Sequence, residues 1–221
     1  MEHEQFLSEY FPFWHDLSKE EKKALCTDTK EVRYEKGQTV HDGNECTGAI
    51  IVKKGSLRTY ILSEDGKEIT LYRLYEGEIS VLSASCALRA ITFDVMVEAD
   101  DETECLLIGS NTFGKLIESN MHAKNYALEL ATARFSEVMW VFQQILFMSF
   151  DKRLAIFLLD ESAKRQSSTL KITHEQIAKY TGSAREVVTR MLKQFSKEGI
   201  VESGRGDIHI LNKSKLRDLL R

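Results

Sequence analysis

Proline is nearly missing from this chain of 221 residues: one stands at position 12, and no low-complexity tract accompanies it. With 43% hydrophobic and 29% charged residues, the composition excludes collagen-like, disordered and low-complexity scaffolds and leaves a core-forming protein. Apolar residues never run unbroken for the roughly 18 positions that a membrane-crossing helix needs. The opening MEHEQFLSEYF also lacks the basic and then apolar order of a secretory signal. A cytoplasmic protein with no membrane partner is expected. Cysteine is sparse too: Cys26, Cys46, Cys86 and Cys105 include no C-x-x-C pair, so free thiols in a reducing compartment are expected rather than disulfides.

Charge of one sign is short in each part of the chain. Residues 1–150 hold 15 Lys and Arg against 25 Asp and Glu, a balance of −10, whereas residues 151–221 hold 15 against 9, a balance of +6. An acidic body therefore carries a basic C-terminal segment. Such asymmetry points the last part of the chain at a polyanion and gives the rest another task. The length suits two domains of ordinary size.

From Glu31 to Ile108, short runs rich in β-branched and aromatic residues (GAIIVKKG, SLRTYIL, KEITLYRL) are punctuated by Gly37, Gly43, Gly48, Gly55, Gly66 and Gly77. Runs of this length with partial alternation read as strands of an antiparallel β-roll or jelly roll. Asp65-Gly66 supplies the positive φ angles of a tight hairpin turn. The acidic cluster Glu98, Asp100, Asp101, Glu102 and Glu104 reads as a solvated loop, and no metal site is expected. A β-roll enzyme would need three or four converging ligands, but this stretch has a single histidine, His41, and no H-x-H pair, which argues against an enzyme.

Between Met121 and Met148 the period changes to seven. Met121, Leu128, Phe135 and Phe142 form one row, and Ala131, Val138 and Ile145 a second, which Lys124 interrupts at its first position. Over about four heptads this is an a/d seam, so a homodimer interface is expected on a helix about 42 Å long. The neighbouring Met139, Trp140, Leu146 and Phe147 suggest that part of the helix packs on its own domain.

In the basic segment, Thr173 and Gln176 form a capping box ahead of a helix that turns Ile177 and Ala178 inward. Gly182 permits a left-handed turn, and Ser183 with Glu186 reads as a second capping box. Two capped helices joined by a short glycine turn make a helix-turn-helix. Val187, Val188, Met191, Leu192 and Phe195 gather on the buried face of the second helix, leaving Arg185, Glu186, Thr189, Arg190 and Lys193 outside. Arginine can donate twice to guanine, glutamate can accept from cytosine, and lysine or threonine can hold phosphates, so this face suits the major groove of double-stranded DNA. GIVESGRGDIHIL then reads as a two-stranded wing with Arg205 at its tip as a phosphate contact.

These motifs resemble the transcription regulators of the cAMP receptor protein and fumarate-nitrate regulator (CRP/FNR) family over nearly the whole chain: KGQTVHDG, AIIVKKGSLRTYIL and DGKEITLYRLYEGE in the first part, and ITHEQIAKYTGSAREVVTRMLKQFSKEGIVE in the second. The resemblance implies an α+β protein of two domains. A cyclic-nucleotide-binding-like β-roll would occupy 1–120, a long dimerisation helix 121–148, and a winged helix-turn-helix 149–221. It also implies a homodimer on a near-palindromic operator, with RNA polymerase as a further partner, and base contacts at Arg185, Glu186, Thr189 and Arg190. Two recognition helices reading successive major grooves on one DNA face stand about 34 Å apart.

The departures concern the effector. Members that bind cAMP carry an Arg-Ser pair for the cyclic phosphate and a second Gly-Glu pair for the ribose. Here Phe93-Asp94 stands at the first, EISVLSASCAL lacks the second, and cAMP binding is not expected. Only Cys26 precedes Cys46, which disfavours an iron-sulfur cluster. The effector pocket is placed at Val81, Leu82, Cys86, Phe93, Asp94 and Met121, for an apolar or small organic ligand whose identity is unknown. The alternatives are a cyclic-nucleotide-responsive regulator and a haem or thiol sensor using Cys86, His41, His122 or Met121.

Overall fold

The computed structural model describes residues 2–43, 48–64, 66–81, 95–204 and 206–221. The chain divides into two compact units, one of Met1–Glu64 with Leu71–Val138, the other of Asp65–Thr70 with Met139–Arg221.

In the first unit, helices α1 (Glu2–Tyr10) and α2 (Lys19–Asp28) precede the strands. A capping box starts α2: the Ser18 hydroxyl accepts from the Glu21 amide, and the Glu21 carboxylate accepts from the Ser18 amide at 2.7 Å. Strands β1 (Thr29–Tyr34), β2 (Thr39–His41), β3 (Ala49–Lys54), β4 (Ser56–Leu62), β5 (Glu68–Tyr75), β6 (Ile79–Ser80), β7 (Met96–Ala99) and β8 (Thr103–Ile108) follow. They form two four-stranded sheets in the orders β1-β8-β3-β6 and β2-β7-β4-β5, the antiparallel β-roll expected. The punctuating glycines all have positive φ, from +79° to +95°. At Gly55 a side chain would meet the Glu102 carbonyl at 2.5 Å and Thr103, so the turn between β3 and β4 admits only glycine.

Strand β3 is buried on both faces. Ile50 and Val52 lie in the core cluster with Leu57, Leu74, Val97 and Cys105. Ala49 and Ile51 pack in a second cluster with Leu7, Phe11, Trp14 and Leu25 from the N-terminal helices, Phe113 of α3 (Ser110–Ser119), and Ala123 and Ala127 of α4 (Met121–Phe147). Alternation vanishes where both faces are covered, which explains why AIIV reads as one apolar run.

The acidic cluster is in part the loop expected, since Asp100, Asp101 and Glu102 lie between β7 and β8. Glu98 lies in β7 and Glu104 in β8, and the carboxylates meet cations: Arg58 to Glu98 at 2.8 Å, Arg73 to Asp100 at 3.8 Å, Lys36 to Asp101 at 3.1 Å and Arg33 to Glu104 at 3.4 Å. Arg58 is fully buried with its guanidinium 4.0 Å over the Tyr60 ring. A charge so placed needs a partner, and Glu98 on the neighbouring strand provides it.

The second unit contains α5 (Phe150–Lys164), β9 (Thr169–Lys171), α6 (His174–Thr181), α7 (Arg185–Lys197), β10 (Val201–Ser203), β11 (Asp207–Ile210) and α8 (Lys213–Asp218). Strand β11 pairs antiparallel with both β10 and β9, so the wing is a three-stranded sheet rather than the two-stranded one expected. The core joins Leu154 and Leu158 of α5, Ile177 of α6, Val188, Leu192 and Phe195 of α7, Ile208 of β11 and Leu216 of α8.

Candidate nucleic-acid interface

Helix α6 opens as expected: the Thr173 hydroxyl accepts from the Gln176 amide and the Gln176 side chain accepts from the Thr173 amide at 2.9 Å. It closes on Gly182 at φ +59°, whose N–H donates to Ala178; the Ser183 amide donates to the same carbonyl at 2.9 Å. The second capping box does not form. The residue preceding the first turn of α7 is Ala184, not Ser183, and no side chain caps that end. The S-x-x-E pattern lies one residue out of register with the helix, and Glu186 is exposed.

On α7, Val188, Leu192 and Phe195 are buried, while Arg185, Glu186, Thr189, Arg190 and Lys193 line one open concavity together with Gln194 and Lys197. Gln194 and Lys197 were missed; they stand four residues after Arg190 and Lys193 and extend the same stripe by one turn. Four cations against one carboxylate give this concavity the positive field that a phosphate backbone attracts. His174 was missed as well. Its Nδ1 lies 2.9 Å from the Thr189 hydroxyl and its Nε2 lies 3.2 Å from that of Ser203 on β10. Burial first, and the Arg185 charge second, hold its pKa below the ordinary histidine value. Arg205 lies outside the described residues.

Helix α4, whose residues to Val138 belong to the first unit and from Met139 to the second, carries the interface candidates. Met121, Leu128, Phe135 and Phe142 are exposed on α4 at 66%, 49%, 64% and 41%, and Ala131, Val138 and Ile145 are partly buried. Contrary to expectation, Met139, Trp140, Leu146 and Phe147 are exposed as well. The α4 residues buried are Ala123, Ala127 and Arg134, small residues and one arginine that the heptad pattern passes over. The Arg134 guanidinium lies 2.8 Å from Glu137, 3.4 Å from Glu78 and 5.0 Å from the Tyr72 ring centre, a clamp between the helix and the roll.

Of the pocket residues, Val81 is fully buried and Met121 is two-thirds exposed, whereas Leu82, Cys86, Phe93 and Asp94 lie outside the described residues. Cys46 lies outside them also. Burial pushes the Cys105 thiol up to about 12 and raises that of Cys26, so neither is poised as a nucleophile. Among the described residues, no group of three or more His, Cys, Asp or Glu could hold a metal, and no helix is long and apolar enough to cross a membrane.

A β-roll, a long helix and a winged helix-turn-helix with a basic exposed face are the parts of a DNA-binding transcription regulator. Comparison with known proteins agrees. The family model for the cyclic nucleotide-binding domain matches residues 31–120, and that for the Crp-like helix-turn-helix domain matches residues 152–219. A crystal structure of a transcriptional regulator assigned to the CRP/FNR family, from Eubacterium rectale, is 45% identical with a TM-score of 0.91, covering 96% of this chain and 99% of that one. The transcriptional regulator flp of Lacticaseibacillus casei is 26% identical over 94% of both chains. The cyclic AMP receptor protein of Thermus thermophilus is 23% identical over 94% of this chain and 96% of its own. The chain belongs to the CRP/FNR family of transcription regulators.

Proposed function

We propose that the protein works as a cytoplasmic homodimer that reads a near-palindromic operator and acts on transcription with RNA polymerase, under control of a signal received at the β-roll. Residues 1–120 form the sensor, 121–148 the dimerisation helix and 149–221 the output domain. Arg185, Glu186, Thr189 and Arg190 read bases, while Lys193 and Arg205 hold phosphates. The observation that carries this reading is the two-sided character of α4. One side is buried on its own roll through Ala123, Ala127 and Arg134, and the other displays Met121, Leu128, Phe135 and Phe142. An exposed apolar row of that length on a regular helix suits a second copy of itself.

A signal at the roll has a route to that row, because Glu78 and Tyr72 of the roll meet Arg134 of the helix. The effector we propose is a small organic ligand other than cAMP, in the pocket that includes Val81, Leu82, Cys86, Phe93, Asp94 and Met121. Phe93-Asp94 in place of Arg-Ser supports this, since a carboxylate repels a cyclic phosphate. Native mass spectrometry with an absorption spectrum tests the reading on protein purified without added ligand. A dimer carrying extra mass and no visible band supports it. A monomer at micromolar concentration overturns the dimer, and a visible band transfers the sensing role to haem. Calorimetric titration with cAMP should give no binding heat; micromolar affinity overturns that exclusion.

A further inference from the structure

We propose that Thr189 reads a thymine through its methyl group, and that His174 is the positioning residue that keeps the Thr189 hydroxyl turned into the protein. The proposal rests on the reading of α7 as the recognition helix. It follows from counting protons. The Thr189 oxygen lies 2.9 Å from His174 Nδ1 and also 2.9 Å from the carbonyl oxygen of Arg185, one turn earlier in α7. A carbonyl can only accept, and a hydroxyl has one proton to give. That proton therefore goes to Arg185, and the threonine oxygen accepts from Nδ1–H of His174. The ring is thereby the Nδ1–H tautomer, and its Nε2 accepts from the Ser203 hydroxyl at 3.2 Å.

The bonds form one directed chain, from the wing strand through the first helix of the motif into the recognition helix. Burial and the Arg185 charge favour the neutral ring that this chain requires. With its proton given to Arg185, Thr189 cannot donate to a base; what it has left is one lone pair and its methyl, on the concave face it shares with Arg185, Glu186, Arg190 and Lys193. Thymine alone among the bases carries a methyl group on its major-groove edge, and apolar contact with it distinguishes T·A from the other pairs. One buried methyl corresponds to about a fourfold change in affinity per half-site, or about 15-fold when both halves of a symmetric site are altered.

The test uses the full chain. Selection from a randomised duplex library at fixed salt gives a preferred duplex. Each thymine in it is then replaced in both half-sites by deoxyuridine, which removes only the methyl. At one symmetric position the replacement should weaken wild-type binding about 15-fold. Thr189→Ser, which keeps the hydroxyl and loses the methyl, should bind the thymine and deoxyuridine duplexes equally; Thr189→Val should still discriminate. His174→Leu should reduce the discrimination. His174→Asn, whose amide N–H stands where Nδ1–H stood, should restore it. Because the readout is a ratio of two affinities of one variant, a loss of folded fraction does not move it. A Thr189→Ser protein that discriminates as wild type does, or a wild type indifferent to every thymine methyl, overturns the methyl reading. Unchanged discrimination in His174→Leu overturns the positioning role. If the library yields no preferred duplex, the DNA-reading assignment fails, and the proposal with it.

Discussion

Replacing Phe135 by alanine should separate the proposed dimer while leaving each protomer folded. Phe135 is 64% exposed and, among the described residues, belongs to none of the core clusters, so its packing energy is available to a partner. Burying a whole phenylalanine side chain is worth about 1.5–3 kcal/mol, and covering the exposed part about 1–2 kcal/mol. Twofold symmetry removes two such side chains at once, about 2–4 kcal/mol, which raises the dimer dissociation constant by about 30- to 1000-fold. Sedimentation equilibrium over a wide concentration range reads that constant, and far-ultraviolet circular dichroism at the lowest concentration reads the fold of the monomer. A constant within about twofold of wild type would refute the assignment of the row to the interface. A raised constant with lost helical signal would show instead that Phe135 supports its own protomer.

Arg190→Ala should cost about 1–3 kcal/mol of operator affinity and relax selectivity at one base pair, measured by competition binding at fixed salt. Arg205→Ala should weaken binding to all sequences alike and lower the slope of log affinity against log salt by about one. Gly182→Ala places a side chain at φ +59° and should destabilise the second unit by about 1–2 kcal/mol in urea unfolding. Arg134→Met keeps the bulk of a buried side chain but abandons Glu78 and Glu137; a loss of about 1–3 kcal/mol in thermal unfolding is expected. At pH 8, iodoacetamide should leave Cys105 unlabelled until denaturant is added, because alkylation needs the thiolate and burial holds the thiol at about 12.

Much of this architecture could be read from the residues because local chemistry and tertiary demand agree. The positive-φ glycines at 37, 43, 48, 55, 66 and 77 stand where the roll must turn, and Thr173 with Gln176 caps α6 as their spacing requires. The Ser183-Glu186 pattern misled because S-x-x-E records only a spacing, whereas the first turn of α7 is set by how Val188 and Leu192 pack. Strand β9 escaped notice since three residues hold no period; only pairing with β11 makes Thr169–Lys171 a strand. Ser18-x-x-Glu21, a true capping box, was visible and unread. Buried Arg58 and Arg134 were hidden for another reason: a charge enters a core only when its partners are placed there too, and Glu98 is 40 residues from Arg58, while Glu78, which joins Glu137 at Arg134, is 56 away. His174 belongs with them, for its partners come from α7 and β10.

The pairing of β9 with β11 bears on how the reading head comes into being during synthesis. Leu170 is registered opposite Ile208, so the whole helix-turn-helix lies inside a loop whose two ends are stitched to each other. A nascent chain that has just produced α7 holds both helices of the motif yet lacks the strand that closes this loop, and it lacks Leu216, which completes the core beneath. Until those later residues emerge, the apolar face of the recognition helix has only earlier residues, Leu154, Leu158 and Ile177 among them, to lie on, and the core stays incomplete. DNA-reading competence is therefore expected only once Leu216 has joined the core. A chain ending between Lys197 and Ile208 would hold a basic, partly apolar segment rather than half of a regulator.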